Sequence, residues 1–183
     1  DLEKAERYLQ EVVGAASALS DGRAPRVECS ATQDLVCRAI ARAARAEIVL
    51  HGALTEESLG PGPIRRGDIW RIVPYENRLC VLWLTAQELR EVLEANAAYA
   101  GGDRFMTAYG LEYRLDASAP EGERVADVRL ADGTKPHPRL RLKVATTNYL
   151  LASGGGRFRA LSDMARRRTS RLQMTDIDTR TAV

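Results

Sequence analysis

The chain of 183 residues is poor in the side chains that most often carry chemistry: it has two histidines, three cysteines and only 5% aromatic residues. The two histidines, His51 and His137, stand far apart, and no His-Glu-x-x-His, Asp-x-His or Gly-Asn-His-Glu segment is present. A dinuclear metal site built from this chain alone is therefore not expected. There is no Gly-x-Ser-x-Gly elbow, no Walker A loop, and no Gly-x-Gly-x-x-Gly opening a helix after a strand. Cys29, Cys37 and Cys80 lack the paired spacing of a zinc site, and their odd number prevents a complete set of intrachain disulfides. Cys37 and Cys80 lie among apolar neighbours and read as small buried hydrophobes. Charge of one sign is lacking too: 27 basic against 25 acidic residues leave +2, which gives no argument for a nucleic-acid partner. No apolar run approaches the roughly 20 residues that cross a bilayer, so no membrane partner is expected.

The 45% hydrophobic and 28% charged composition suits one folded domain with a real core. Residues 2–20 place Leu2, Ala5, Leu9, Val12, Val13, Ala16 and Leu19 on one helical stripe, stopped by Asp21-Gly22 and Pro25. A second helix is expected over 32–46 with Thr32 as its N-cap, and a buried strand over 47–50. A Gly- and Pro-rich loop, 51–63, leaves that strand, and a short helix follows over 66–72. Residues 79–84 read as a central strand, and Thr85–Glu88 as a capping box that launches a helix striped by Leu89, Val92, Leu93 and Ala97. Shorter segments follow at 104–108, 111–115, 125–130 and 140–147, the last alternating so as to leave one face wet. The run Arg166-Arg167-Arg168 reads as the solvated end of a helix. Thr175–Asp178 reads as a variant capping box opening a helix that the chain scarcely continues. With no initiator Met at Asp1, both ends are expected to be boundaries within a longer parent chain.

The polar residues that remain suit ligand binding better than catalysis. Tyr75, in Pro74-Tyr-Glu-Asn77, and Tyr149, after Asn148, each sit in a loop-like context beside an amide side chain. Two aromatic faces can sandwich a planar ring while Asn77 or Asn148 hydrogen-bonds its edge. The residues alone leave open the blander alternative, in which each ring packs on the core with its hydroxyl in water.

The order of segments carries a resemblance. Gln33-Asp-Leu-Val36 is followed by Ile48-Val-Leu50 with His51-Gly52, then Gly62-Pro-Ile-Arg-Arg-Gly-Asp-Ile69, Val73-Pro-Tyr-Glu-Asn77 and Leu84-Thr-Ala-Gln-Glu-Leu89. Gly110-Leu-Glu-Tyr113, Pro120-Glu-Gly-Glu-Arg-Val125 and Thr147-Asn-Tyr-Leu-Leu-Ala-Ser-Gly-Gly155 complete the series. Over residues 26–165 this string resembles the C-terminal domain of the 5′-nucleotidase and UDP-sugar hydrolase family. The resemblance implies a single mixed α/β (α+β) domain, a mixed β-sheet flanked by helices. It implies a connector helix over 1–22, the domain proper over 23–170, and a clipped tail over 171–183.

In that family a separate N-terminal domain holds two divalent metals and does the hydrolysis, while the C-terminal domain clamps the nucleobase between two aromatics. By resemblance those aromatics fall at Tyr75 and Tyr149. The implied ligand site comprises them with Asn77, Asn148, His51, Gly52, Gly154, Gly155 and Arg157. The implied partner is a nucleotide- or nucleoside-like small molecule, together with an N-terminal metallophosphatase domain or a separate catalytic chain. No cofactor is expected in this chain, and alone it is expected not to hydrolyse nucleotides. Family members are usually exported, but no targeting segment here bears on compartment.

Two departures from the family stand out. The family's Asn-Gly-Gly-x-Ile-Arg stretch is replaced by His51-Gly52-Ala53-Leu54-Thr55-Glu56, which puts Glu where a substrate-contacting Arg is usual. The family's Gly-Gly-Asp-Gly-aromatic stretch is replaced by Gly154-Gly155-Gly156-Arg157-Phe158. A carboxylate in place of a guanidinium repels a phosphate that the Arg attracts. The alternatives are therefore a diverged domain binding another aromatic molecule, or an enzyme using His51 and Glu56 as secondary catalytic candidates.

Overall fold

In the computed structural model, which describes residues 2–24, 28–52, 54–102, 104–153, 156 and 158–183, the fold is built on one mixed five-stranded sheet. Its strands are β2 (Ile48–Gly52), β4 (Arg78–Thr85), β5 (Met106–Tyr109), β8 (Arg141–Thr147) and β9 (Gln173–Asp178), in the order β5-β2-β8-β4-β9. Only the β2–β8 pair is parallel; β5, β4 and β9 join antiparallel. Two antiparallel pairs flank the sheet: β1 (Val12–Ala16) with β3 (Gly62–Arg65), and β6 (Leu111–Leu115) with β7 (Val125–Leu130).

Both faces of the central strands are covered, which is why their sequences read as continuous apolar runs. Val49, Val81 and Ala145 face a core shared with Val36, Cys37 and Ile40 of α2 (Ala31–Ala44) and Ile72 of α3 (Arg66–Ile72). On the other face Ile48, Leu50, Leu82, Leu84 and Val144 pack with Leu89, Val92 and Leu93 of α4 (Ala86–Ala97) and Leu161 of α6 (Arg159–Ala165). Fully burying each such Leu or Ile is worth about 1.5–3 kcal/mol, so the two cores hold the sheet between them. The Thr85–Glu88 capping box is present: Glu88 N donates to Thr85 Oγ1 at 3.1 Å and Thr85 N to Glu88 Oε2 at 2.9 Å.

Five local readings are corrected. The stripe over 2–20 is not one helix: α1 (Leu2–Gln10) stops, and residues 12–16 form β1 against β3. The β-branched pair Val12-Val13 followed by Gly14 is poor helix material, and β3 offers it a ladder. Gly22 serves a close approach rather than a helix stop, since a Cβ there would lie 2.1 Å from the Glu57 carbonyl oxygen. The α2 cap is Ser30, whose hydroxyl accepts from Gln33 N at 3.1 Å, while Thr32 donates to Ser20 O at 2.8 Å. Along β8 the wet face is confined to its start: Arg141 is exposed, but Ala145 is as buried as Val144 because β2 and β4 flank the strand.

The fifth correction concerns the tail. Residues 173–178 are not a helix start but edge strand β9, paired with β4, and the cap lies three residues later. Asp178 Oδ1 accepts from Arg180 N and Thr181 N, both at 2.9 Å, and opens the single turn α7 (Thr179–Ala182). A short helical turn, α5 (Asn148–Leu151), follows β8 directly.

Buried Asn96 ties α4 to β5: its Nδ2 donates to Met106 O and its Oδ1 accepts from Met106 N, both at 2.8 Å. Asn96→Leu strands both groups, so we expect urea unfolding to show a loss of about 2–4 kcal/mol. A loss below about 0.5 kcal/mol would show that β5 finds other partners.

Candidate ligand-binding site

Strand register gathers the loops of interest. Leu79 of β4 lies opposite Thr147 of β8, and Val49 of the parallel β2 lies opposite Ala145. The loop entering β4 (Pro74 to Asn77), the residues leaving β8 (Asn148-Tyr149) and the last residues of β2 (His51-Gly52) therefore meet at one end of the sheet. Both tyrosines stand out there, Tyr75 at 61% and Tyr149 at 47% exposure. Asn148 is exposed at the first position of α5, whose cap is the Thr147 hydroxyl, accepting from Leu150 N at 3.4 Å. Asn77 is half-buried. Gly154, Gly155 and Arg157 lie outside the described residues.

His51 belongs to the core of this end, not to its surface. It is 2% exposed, and its Nδ1 lies 2.7 Å from Gly52 O, so that nitrogen carries the proton and donates. Gln33 Nε2 donates to the same carbonyl at 3.1 Å, and Thr107 Oγ1 donates to His51 O at 3.0 Å. Burial pulls the His51 imidazole down to about 4, with the Gly52 hydrogen bond acting in the opposite direction. The ring is neutral at pH 7. Glu56 is exposed, and among the described residues no hydrogen bond joins it to His51. The geometry does not bring these two together as an acid–base pair.

The sequence reading missed what holds Tyr75. The turn α7 braces the whole loop: Thr179 Oγ1 donates to Tyr75 O at 2.8 Å and Thr179 N to Asn77 O at 2.8 Å. Arg180 donates to Val73 O at 3.1 Å and to Pro74 O at 3.0 Å, and pairs with the Glu76 carboxylate. Its guanidinium lies over the Trp70 ring, 4.0 Å from the centroid. The signal was present as Asp178-Thr179, an Asx cap ahead of a polar turn, three residues beyond the cap read from the sequence.

The fold and this loop arrangement define a mixed α/β domain with several polar loops gathered at one end of the sheet. The family model "5′-nucleotidase, C-terminal domain" matches residues 12–163, and the chain belongs to that family. It is 26% identical over 158 residues to Endonuclease YhcR of Bacillus subtilis (strain 168), covering 86% of this chain and 13% of that protein. It is 27% identical over 164 residues to the Trifunctional nucleotide phosphoesterase protein YfkN of the same organism, covering 82% of this chain and 11% of that one. The solved 5′-nucleotidase precursor from Thermus thermophilus superposes with a TM-score of 0.82 at 24% identity, over 98% of this chain and 37% of that one. The chain thus spans a small part of each relative's length. The matched span begins at residue 12, inside the stretch expected to be a connector.

Two predictions test this geometry. The folded His51 pKa is depressed to about 4 from an unfolded value of 6.5, so the unfolded chain binds the extra proton between those values. The contribution is complete above 6.5 and is lost as pH falls towards 4. In denaturant unfolding between pH 7 and 4.5, wild type should lose roughly 2–3 kcal/mol more than His51→Asn. Equal losses would mean that the ring is not sealed. For the brace, Arg180→Ala should lower unfolding free energy by about 1.5–3 kcal/mol, whereas a surface-like change of a few tenths would refute it.

Proposed function

We propose that the domain recognises a nucleobase-like ring by stacking it between Tyr75 and Tyr149, in the service of a phosphohydrolysis performed on another domain or chain. The observation that carries this reading is the β4–β8 register, which sets the two loops side by side with both rings exposed. A core-packing tyrosine has no reason to leave half its surface in water, whereas a stacking platform requires it. Asn77 and Asn148 supply amides for the ring edge, and Gly52 a close backbone approach. In the same reading Gly154, Gly155 and Arg157 complete the rim.

The family's divalent metals do not fit here. Among the described residues no three His, Cys, Asp or Glu side chains gather into a set that could hold a metal ion. His137, in a turn between prolines, accepts from Arg139 N at 3.3 Å, and His51 is sealed in the core with its Nδ1 on Gly52 O. No hydrolytic step is assigned to this chain; its share of the reaction is to bind and orient. The relatives' printed activities, an endonuclease and a nucleotide phosphoesterase, agree in acting on phosphate esters, and a base-recognition role suits either.

One observation favours a variant of this reading. Glu56, four residues beyond β2 in the sequence, is exposed, and in this reading it gives the loop a carboxylate where the family's pattern has a cation. An aromatic ligand with less negative charge than a nucleotide, such as a nucleoside, fits that field better.

Calorimetric titration with adenosine and AMP tests both. Adenosine should bind, and Tyr75→Ala and Tyr149→Ala should each weaken it by about 1–3 kcal/mol, or roughly fivefold to a hundredfold. Unchanged affinity in either variant contradicts the clamp. AMP binding more tightly than adenosine contradicts the preference for a less charged ligand.

A further inference from the structure

Trp70 is a large side chain whose place neither the cores nor the proposed clamp explains. It lies on α3 beside Ile69 and Ile72, which pack inward, yet it belongs to neither apolar core and is 41% exposed. Filling the interior is therefore not its use. Its ring has two neighbours instead, one from α1 and one from α7. Tyr8 of α1 meets it with 6.4 Å between ring centroids and an interplanar angle of 79°. The Arg180 guanidinium lies on it, 4.0 Å from the centroid.

The stacked guanidinium is the one that braces the Tyr75 loop. All three of its nitrogens are engaged at the edge, Nε with Val73 O, Nη2 with Pro74 O and Nη1 with the Glu76 carboxylate. Only the flat faces of the group are left for water, and Trp70 covers one of them. On the other side of the indole, α1 buries none of its residues, yet its end is tied to the start of α3. Arg65 Nη1 donates to Gln10 O at 2.7 Å, Arg66 N to Glu11 O at 3.0 Å, and Arg66 Nε to the Glu11 carboxylate at 2.8 Å. The Arg66 guanidinium in turn lies over the Tyr8 ring, 4.7 Å from its centroid. Cation, ring, ring and cation thus run without a break from α1 to the loop that carries Tyr75.

We propose that Trp70 is a positioning residue for Tyr75, holding the Arg180 guanidinium flat against the loop. Through Tyr8 it also makes that hold depend on where α1 sits. The proposal rests on the reading of Tyr75 as a stacking ring. Losing the indole opens the guanidinium face to water, which then competes for the Val73 and Pro74 carbonyls. Losing the Tyr8 ring frees the indole to turn, with the same consequence in smaller degree. An element outside the site thereby tunes ligand affinity by changing how far the stacking platform is preorganised.

Backbone order parameters from nitrogen relaxation read the loop without a ligand. The amides of Tyr75, Glu76 and Asn77 should be rigid in wild type, at about 0.85, and fall below about 0.6 in Trp70→Leu. Trp70→Phe keeps an aromatic face for the guanidinium and should restore most of the rigidity. Tyr8→Ala, on a helix that buries nothing, should give a smaller fall at the same amides. Asn96→Leu, which weakens the fold at the α4–β5 contact, should leave them at their wild-type values. Adenosine affinity should drop by about threefold to tenfold in Trp70→Leu. A loop that stays rigid in Trp70→Leu, that loosens equally in Asn96→Leu, or that phenylalanine fails to restore would overturn the positioning role. So would a loosened loop with unaltered adenosine affinity, and a loop indifferent to Tyr8→Ala would overturn the link to α1. A wild-type domain that binds no adenosine would instead refute the stacking reading, with the order parameters still deciding whether Trp70 holds the loop.

Discussion

The antiparallel pairing of β4 with β8 is the constraint on which the rest depends. Its ladder runs from Leu79↔Thr147 to Thr85↔Arg141 without a bulge. A slip of one residue would turn Leu82 and Leu84 away from the α4 core and Val81 away from the α2 core, exchanging two well-packed faces at once. That register also positions the loops at both ends of the two strands. It sets the Tyr75 loop beside Tyr149, and it places the α4 capping box at the opposite end, where Ala86 N donates to Leu140 O at 2.9 Å. Stability and the placement of these loops are written in the same hydrogen bonds.

Much of this was legible in the amino-acid sequence because the signals were local and strong. The Leu79–Leu84 run, the Thr85–Glu88 box and the stripe of α4 each pointed to the element found, and the order of segments pointed to the family. The errors arose where an alternative partner lay far away in sequence. Val12 and Val13 suit a helical stripe until β3, about 50 residues later, offers a ladder. The tail reads as an incomplete helix until β4 accepts it as an edge strand, about 95 residues earlier. In both cases local periodicity lost to a tertiary pairing that no window could contain.

The arrangement of the loops at this end of the sheet was legible in part. Tyr75, Tyr149 and their amide neighbours were singled out from loop context and resemblance, and the register brings them to one edge. Burial of His51 was not legible, because a histidine after a buried strand in a Gly- and Pro-rich stretch looks like a loop residue. It is Gln33 and Thr107, from two other elements, that close over its backbone and Gly52. The brace from Thr179 and Arg180 was invisible for a similar reason: its value lies in hydrogen bonds to a loop about 100 residues earlier in the chain. Such a brace keeps an exposed aromatic in place without burying it, which is what a preorganised stacking platform needs.

The central claim is that one end of the sheet, formed by the ends of β2 and β8 and the start of β4, receives an aromatic ring. Backbone amide chemical-shift mapping during titration with adenosine addresses it most directly. The account predicts shifts concentrated at His51-Gly52, Tyr75 to Asn77 and Asn148-Tyr149, with smaller changes carried to Thr179 and Arg180 through the brace. Shifts centred instead on the hollow between α4 and β7, around Arg90 and Lys135, would place recognition elsewhere on the fold and contradict the account.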